Sequence, residues 1–167
     1  MAVTVTVVLR PAVTVLGEAH TVKVLAANST LTNGVGTFSV TLKTAGSQTI
    51  TATDTVTSSI TGNTSVTVNP AAASLFVLTA SPTTVTAGGS TTVTVTAKDA
   101  YGNVATGYSG TVHFTSSDSA ATLPANSTLT NGTGMFTVTL RTTGLQSVTA
   151  TDTLTASLTG SVNVSVT

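Results

Sequence analysis

ANSTLTNGTGMFTVTLRTTGLQSVTATD, residues 125–152, decides the architecture of this chain, because nearly the same string, ANSTLTNGVGTFSVTLKTAGSQTITATD, has already run from 27 to 54. The chain is internally duplicated. Each copy reads as a short strand, a tight Asn-Gly turn, a longer strand, a Gly-centred turn and another strand. Along the long strand of the second copy, Phe136, Val138 and Leu140 fall on one face and Thr137, Thr139 and Arg141 on the other, the period-two pattern of a sheet with one buried side. Phe38, Val40 and Leu42 repeat it in the first copy. Asn33-Gly34 and Asn131-Gly132 are the strongest hairpin signals, since both residue types tolerate positive φ.

Working outward, 167 residues suffice for two sandwich-sized units, and the duplication favours two over one. Five basic and five acidic residues balance to zero net charge. Such a chain has no basic field for nucleic acid or an anionic membrane surface. Threonine supplies about a quarter of the chain; its branched Cβ suits a pleated surface and its hydroxyl tolerates water. Cysteine is absent, so disulfides, thiolate metal sites and cysteine nucleophiles are unavailable. Thr interrupts every apolar run well short of the roughly 20 residues of a membrane-spanning helix. The opening MAVTVTVVLRP lacks the basic region, unbroken apolar core and cleavage site of a signal peptide.

Met1 to Arg10 alternates Val and Thr and reads as an edge strand stopped by Pro11. Pro11 to Ala26 then aligns with Pro82 to Ala97, which gives both copies the same first strand. Beyond it the spacing breaks, because Ala26 matches Ala97 while Ala27 matches Ala125. Lys98 to Pro124 is therefore left without a counterpart in the first copy. The expected organisation is an incomplete repeat over 1–69, a short Pro-containing linker over 70–73 and a complete repeat over 74–167. In the second copy the pattern predicts strands at 75–80, 91–98, 111–116, 134–142, 146–152 and 161–166, with shorter ladder pieces near 84–86 and 127–130. Many short strands with turn signals between them and no helical period indicate an all-β antiparallel sandwich or barrel. The expected core is Leu75, Val77, Val93, Val95, Val112, Phe114, Phe136, Val138, Leu140, Val148, Val164 and Val166, with Val22, Val24, Phe38, Val40, Leu42, Ile50 and Val66 in the first copy.

The turn at Asp99 to Asn103, the Asn131 to Gly134 hairpin, the Phe136, Val138, Leu140 strand and the Gly144 to Ala150 strand together resemble bacterial Ig-like repeats of the invasin- and intimin-like group. The resemblance covers the second copy almost entirely and the first in part. It implies two tandem Ig-like antiparallel β-sandwiches, the first lacking a strand. It further implies a non-catalytic spacer in an exported or surface-displayed bacterial protein, with neighbouring repeats of the same polypeptide as partners. The segment lost from the first copy looks like the family's third strand, so the strand over 48–54 is expected to have a bare edge open to self-association.

No residue set settles a reaction, and no cofactor is implied. His113 with Asp118 and nearby serines suggests a Ser-His-Asp arrangement only on paper, for no nucleophile elbow accompanies it. His20 matches Thr91, which cannot titrate. Asp54 and Asp152, where a strand gives way to a turn, and Asp99 with Asn103 are weak calcium candidates. Calcium takes six to eight oxygens, and each cluster has one carboxylate of the kind that caps turns. Asn28 and Asn126 each head an Asn-Ser-Thr acceptor pattern. A second function class, a carbohydrate- or ice-binding module, rests on the outward row Thr92, Thr94 and Thr96 and on Tyr101 and Tyr108 as an aromatic platform. The twist of sandwich sheets spoils a flat hydroxyl lattice and weighs against it. A membrane β-barrel would need aromatic girdles, which so aromatic-poor a chain lacks.

Overall fold

The computed structural model describes the backbone of residues 2–8, 13–18 and 29–167 and the side chains of 29–167. It divides into two compact units, Met1–Asn69 and Pro70–Thr167. The first unit contains β1 (Ala2–Val8), β2 (Val13–Glu18), β3 (Val35–Thr41), β4 (Gly46–Asp54) and β5 (Thr61–Val68). These form two sheets, β1-β3 and β2-β4-β5, all antiparallel. Between them lie Val40, Ile50 and Ala52, with Leu31, Phe38, Leu42 and Val66 packed alongside but only half-buried. The entry to β3 is set by Asn33 (φ 52°) and Gly34 (φ 77°). Two consecutive left-handed residues turn the chain with the twist that a two-residue hairpin requires, and Thr32 and Val35 close it with reciprocal backbone bonds of 3.0 Å.

The second unit contains β6 (Leu75–Ser81), β7 (Thr84–Val85), β8 (Ser90–Lys98), β9 (Thr111–Ser116), β10 (Ser127–Thr128), β11 (Thr133–Thr139), β12 (Gly144–Asp152) and β13 (Thr159–Val166). They build a three-stranded sheet, β11-β8-β6, and a five-stranded sheet, β10-β9-β12-β13-β7. All ladders are antiparallel except the two-residue pairing of β13 with β7, which is parallel. The inward side chains of both sheets interlock into one core that includes Phe76, Leu78, Val93, Val95, Val112, Phe114, Leu129, Val138, Leu140, Val148 and Val164. Phe114 and Phe136 tilt against each other at 4.8 Å. This is the two-layer antiparallel sandwich, one of the two classes the strand pattern allows and the one the resemblance implies, and the first unit repeats it in reduced form.

Three expectations are corrected. The edge of β4 is not bare: β2 pairs with it from Val13↔Asp54 to Glu18↔Thr49, just as β9 pairs with β12 from Val112↔Asp152. Likewise β1 pairs with β3 through Val5↔Phe38, the register in which Val93 pairs with Phe136. The first unit is short of strand, but among the described residues the missing counterparts are those of β6, β7 and the two-residue β10. Alternating Val and Thr fits any ladder with one buried face, so the match of 11–26 to 82–97 carried the alternation and not the place in the sheet. Residues 19–28, which include the predicted strand over 21–26, His20, Val22, Val24 and Asn28, lie outside the described residues.

The register of β6 is also shifted by one from expectation. Leu75 and Val77 are 42% and 38% exposed, while Phe76, Leu78 and Ala80 face the core. The run Leu75-Phe76-Val77-Leu78 is apolar on both faces, so periodicity could not choose, and the sandwich takes the bulkier ring inward. Finally, β11 stops at Thr139 rather than Thr142: Leu140 N–H turns to Gly89 O at 3.1 Å, and the amides of Arg141 and Thr142 are claimed by the Asp118 carboxylate.

Candidate functional site

The polar chemistry of the second unit is concentrated at its turns, and each carboxylate there faces N–H donors. Asp99, 1% exposed, ends β8. Its Oδ1 accepts from the amides of Tyr101 and Asn103, both at 2.9 Å. Its Oδ2 accepts from the Asn103 side-chain amide at 2.9 Å and from the backbone N–H of Ala71 at 3.0 Å. Burial alone would raise the pKa of this carboxyl, but the four donors outweigh it and hold it below the ordinary value of 3.8. The Asp-Ala-Tyr-Gly-Asn turn thus closes on itself and fastens the incoming segment; Ser74 N–H, bonded to Lys98 O at 2.7 Å, continues the attachment.

Asp152, at the end of β12, accepts from Leu154 and Thr155 amides at 2.8 and 2.6 Å through Oδ1. Its Oδ2 takes the Tyr108 hydroxyl. The Tyr108 ring packs edge-on against Phe76, with centroids 5.6 Å apart. Burial, then the bond to Asp152 and its charge, push the phenol up. The carboxyl is depressed, since the Tyr108 and backbone donors overcome the burial that would raise it. Asp54 repeats the cap in the first unit, accepting from Val56 and Thr57 at 2.8 and 2.7 Å. The same local sequence makes the same Asx turn twice.

Asp118 and His113, which the sequence brings together only on paper, stay apart in function: His113 is exposed, and its Nδ1 is 2.8 Å from Asn126 Oδ1. Asp118 is 3% exposed and reaches across the sandwich end. Oδ2 accepts from Arg141 and Thr142 amides at 2.6 and 3.0 Å, and Oδ1 from the Thr142 hydroxyl at 2.7 Å and the Ala120 amide at 2.9 Å. The Thr142 hydroxyl and the Arg141 amide, followed by the other donors, hold this carboxyl well below the usual carboxylate range. Asp-Ser-Ala signals a local cap, but nothing in the sequence links it to amides 23 and 24 positions away.

The calcium candidates Asp54, Asp99, Asn103 and Asp152 sit in separate turn caps, and among the described residues no three His, Asp or Glu side chains gather to hold a metal. A shallow groove of about 300 Å³ runs between Pro70 to Ala73 and Ala105, Gly107 and Tyr108. Its lining side chains are small and apolar apart from the Tyr108 phenol. Tyr101 is 53% exposed, whereas Tyr108 is engaged with Phe76 and Asp152, so the two do not present matched rings. Thr92, Thr94 and Thr96 do share the outer face of β8 and are half-buried. Their flanking partners include Val77 beside Thr96 and Met135 beside Thr94, and Met135 is 74% exposed, so hydroxyls do not tile the face. No helix of the described residues is long and apolar enough to cross a membrane.

Comparison with known proteins follows the same lines. A family model described as bacterial Ig-like domain (group 1) matches residues 75–167. No curated protein matches. Among solved structures, a β-glycosidase from Bacteroides vulgatus is similar at 12% identity and a TM-score of 0.53, with 99% of this chain and 24% of that one covered. The chain therefore spans about a quarter of that enzyme's length. Invasin, a bacterial integrin-binding protein, gives 20% identity, a TM-score of 0.45 and coverage of 100% and 39%. FdeC, an Escherichia coli adhesin, gives 20%, 0.46 and coverage of 99% and 59%. At 12% identity the likeness to the β-glycosidase is one of fold alone.

Proposed function

Because the chain belongs to the bacterial Ig-like domain (group 1) family, we propose that it is a spacer segment of a bacterial cell-surface or secreted adhesin-like protein, without catalysis of its own. Neighbouring repeats of the same polypeptide are its partners in this reading. The observation that carries it is how the second unit is tied at its ends. Tension applied along the chain enters the second unit through β6, the strand nearest its start, and through β13 at its end; once β6 is peeled from β8 the load falls on β7 and β13. These two run parallel, side by side, with Ser165↔Thr84 and Val166↔Val85 in register. They are joined by Ser165 N–H to Thr83 O, Thr167 N–H to Val85 O and Ala87 N–H to Thr167 O at 2.8–2.9 Å. Pulling parallel neighbours from opposite ends shears those bonds together rather than opening them one at a time, which suits a segment that holds something at a distance. The polar interior of the unit is also closed: among the described residues no buried side-chain nitrogen or oxygen lacks a partner.

The test is single-molecule stretching of the full chain between its termini. The second unit is expected to give a discrete unfolding peak. Ala87→Pro, which removes the donor to Thr167, is expected to lower that peak while leaving the urea midpoint less affected. A second unit that yields without a resolvable peak, or a peak indifferent to Ala87→Pro, would count against the spacer reading.

A further inference from the structure

The pattern Asn-X-Ser/Thr, with any residue but proline at X, stands at five places in this chain, headed by Asn28, Asn63, Asn126, Asn131 and Asn163. A Thr-rich chain collects such patterns by composition, and the fold decides which of them an enzyme can reach. A transferase must draw the asparagine and the hydroxyl two residues on into its own site. The acceptor therefore needs an exposed carboxamide, its hydroxyl on the same face, and a backbone that leaves its ladder at little cost in free energy.

Asn28 lies outside the described residues, and three of the other four copies fail on the backbone. Asn131 sits at φ 50° in its hairpin turn. Its neighbour Gly132 donates to Tyr108 O at 2.9 Å and accepts from Ala97 N–H at 2.7 Å, and Thr133 is bonded back to Thr130. Asn163-Val164-Ser165 belongs to β13, which lies between β12 and β7, and Val164 is wholly buried. Asn63-Thr64-Ser65 is exposed, but it is held inside the unbroken ladder of β5 with β4, which runs from Gly46↔Val68 to Thr53↔Thr61.

Asn126 meets all three conditions. Both Asn126 and Thr128 are exposed, and residues two apart on an extended strand share a face. The sheet holds β10 by two pairings, Ser127↔Val112 and Thr128↔Thr111, at the end of the strand order. Just beyond, Leu129 is 2% exposed and its N–H is bonded to Gly110 O at 3.0 Å, so the tripeptide can swing out while the core stays anchored. The carboxamide is engaged through its oxygen, for Asn126 Oδ1 lies 2.8 Å from His113 Nδ1. Nδ2, on the other arm, stays outside that bond.

We propose that Asn126 is an acceptor for an N-linked sugar on the folded chain, with Nδ2 as the linking atom and Thr128 as the hydroxyl that the transferase reads. The donor is a sugar activated as its diphosphate. Nδ2 bonds to the anomeric carbon as the carbon–oxygen bond to the diphosphate breaks; the diphosphate leaves with the electron pair, and one Nδ2 proton passes to a base of the transferase. Oδ1 takes no part, so its contact with His113 survives the modification. A bulky hydrated group at this place shields the short edge strand β10 from pairing with another chain. The inference does not depend on the spacer reading.

The test incubates the full chain with UDP-glucose and a soluble transferase directed to Asn-X-Ser/Thr and, in a second arm, with a lipid-diphosphate-linked oligosaccharide and a membrane transferase; peptide mass spectrometry maps the sites. Sugar is expected on Asn126 at least about tenfold above Asn63, Asn131 and Asn163, and addition in one arm alone identifies the donor. A tryptic digest, in which no ladder survives, is expected to lose that preference. Thr128→Ala is expected to abolish addition at Asn126 while the urea midpoint of the second unit stays put. The proposal is overturned if neither arm modifies Asn126, if Asn131 or Asn163 of the folded chain takes sugar equally well, or if the digest shows the same preference as the folded chain.

Discussion

Replacing Phe76 by alanine is the most direct test of how the second unit is packed, because its neighbour Leu75 provides the control in the same strand. Phe76 is 3% exposed and Leu75 42%. An aromatic side chain buries about 150–250 Å², and at about 25 cal/mol per Å² the transfer part alone is about 4–6 kcal/mol, less what the alanine methyl retains. Loss of the edge-on contact with Tyr108 at 5.6 Å removes about 0.5–1.5 kcal/mol more, while relaxation of the neighbours returns some, so about 3–5 kcal/mol is expected. Leu75→Ala, on the outer face, should cost less than about 1 kcal/mol. The assay is urea denaturation read by tyrosine fluorescence. The chain has no tryptophan, and both tyrosines, Tyr101 and Tyr108, lie in the second unit, so the signal reports that unit alone. A loss of about 3 kcal/mol in a unit of this size should lower its melting temperature by at least about 12 °C. If Leu75→Ala proves as costly as Phe76→Ala, the register of β6 is wrong by one residue and the core drawn around it fails.

Other outcomes follow from the same packing. Gly160→Val should destabilise the second unit by about 3 kcal/mol through collision with the β6 backbone, while Gly62→Val stays within about 0.5 kcal/mol in the free chain; equal effects in a urea titration would deny that β6 presses on one glycine and not the other. Asp99, Asp118 and Asp152 all have depressed pKa values in the folded unit. The unfolded chain then takes up protons first on acidification, so the stability these groups contribute is present above about pH 4 and is lost as pH falls further. The tyrosine-detected midpoint should be level from pH 7 to about 5 and decline below about 4; a midpoint that holds or rises at pH 3 would contradict the assignment. Residues 1–69 expressed alone should show broad, non-cooperative unfolding, because the cluster around Val40 and Ile50 is small and half-open, and a sharp two-state transition of a monomer would refute this.

The repeat, the two-sheet class and most inward positions were legible in the chain itself. An Asn-Gly pair needs positive φ wherever it stands, and a strand buried on one face must alternate. Val93, Val95, Val138, Val148 and Val164, all 0% exposed, follow from that local rule. Asp54 and Asp152 as turn caps were readable for the same reason, since an Asx turn is written within three residues.

Place in the sheet was different. Alternating Val and Thr specifies a ladder without saying which one, so only the tertiary pairing showed that β2 covers β4 and that β1 takes the place of β8. Nor could periodicity orient the doubly apolar Leu75 to Leu78 run, where competition for the interior decided. The three carboxylate clamps of the second unit belong to the fold for the same reason. Asp99 reaches back to Ala71, Asp118 forward to Arg141 and Thr142, and Asp152 across to Tyr108. A side chain's hydrogen bond to a distant amide depends on where folding has already put that amide, and no local pattern records it.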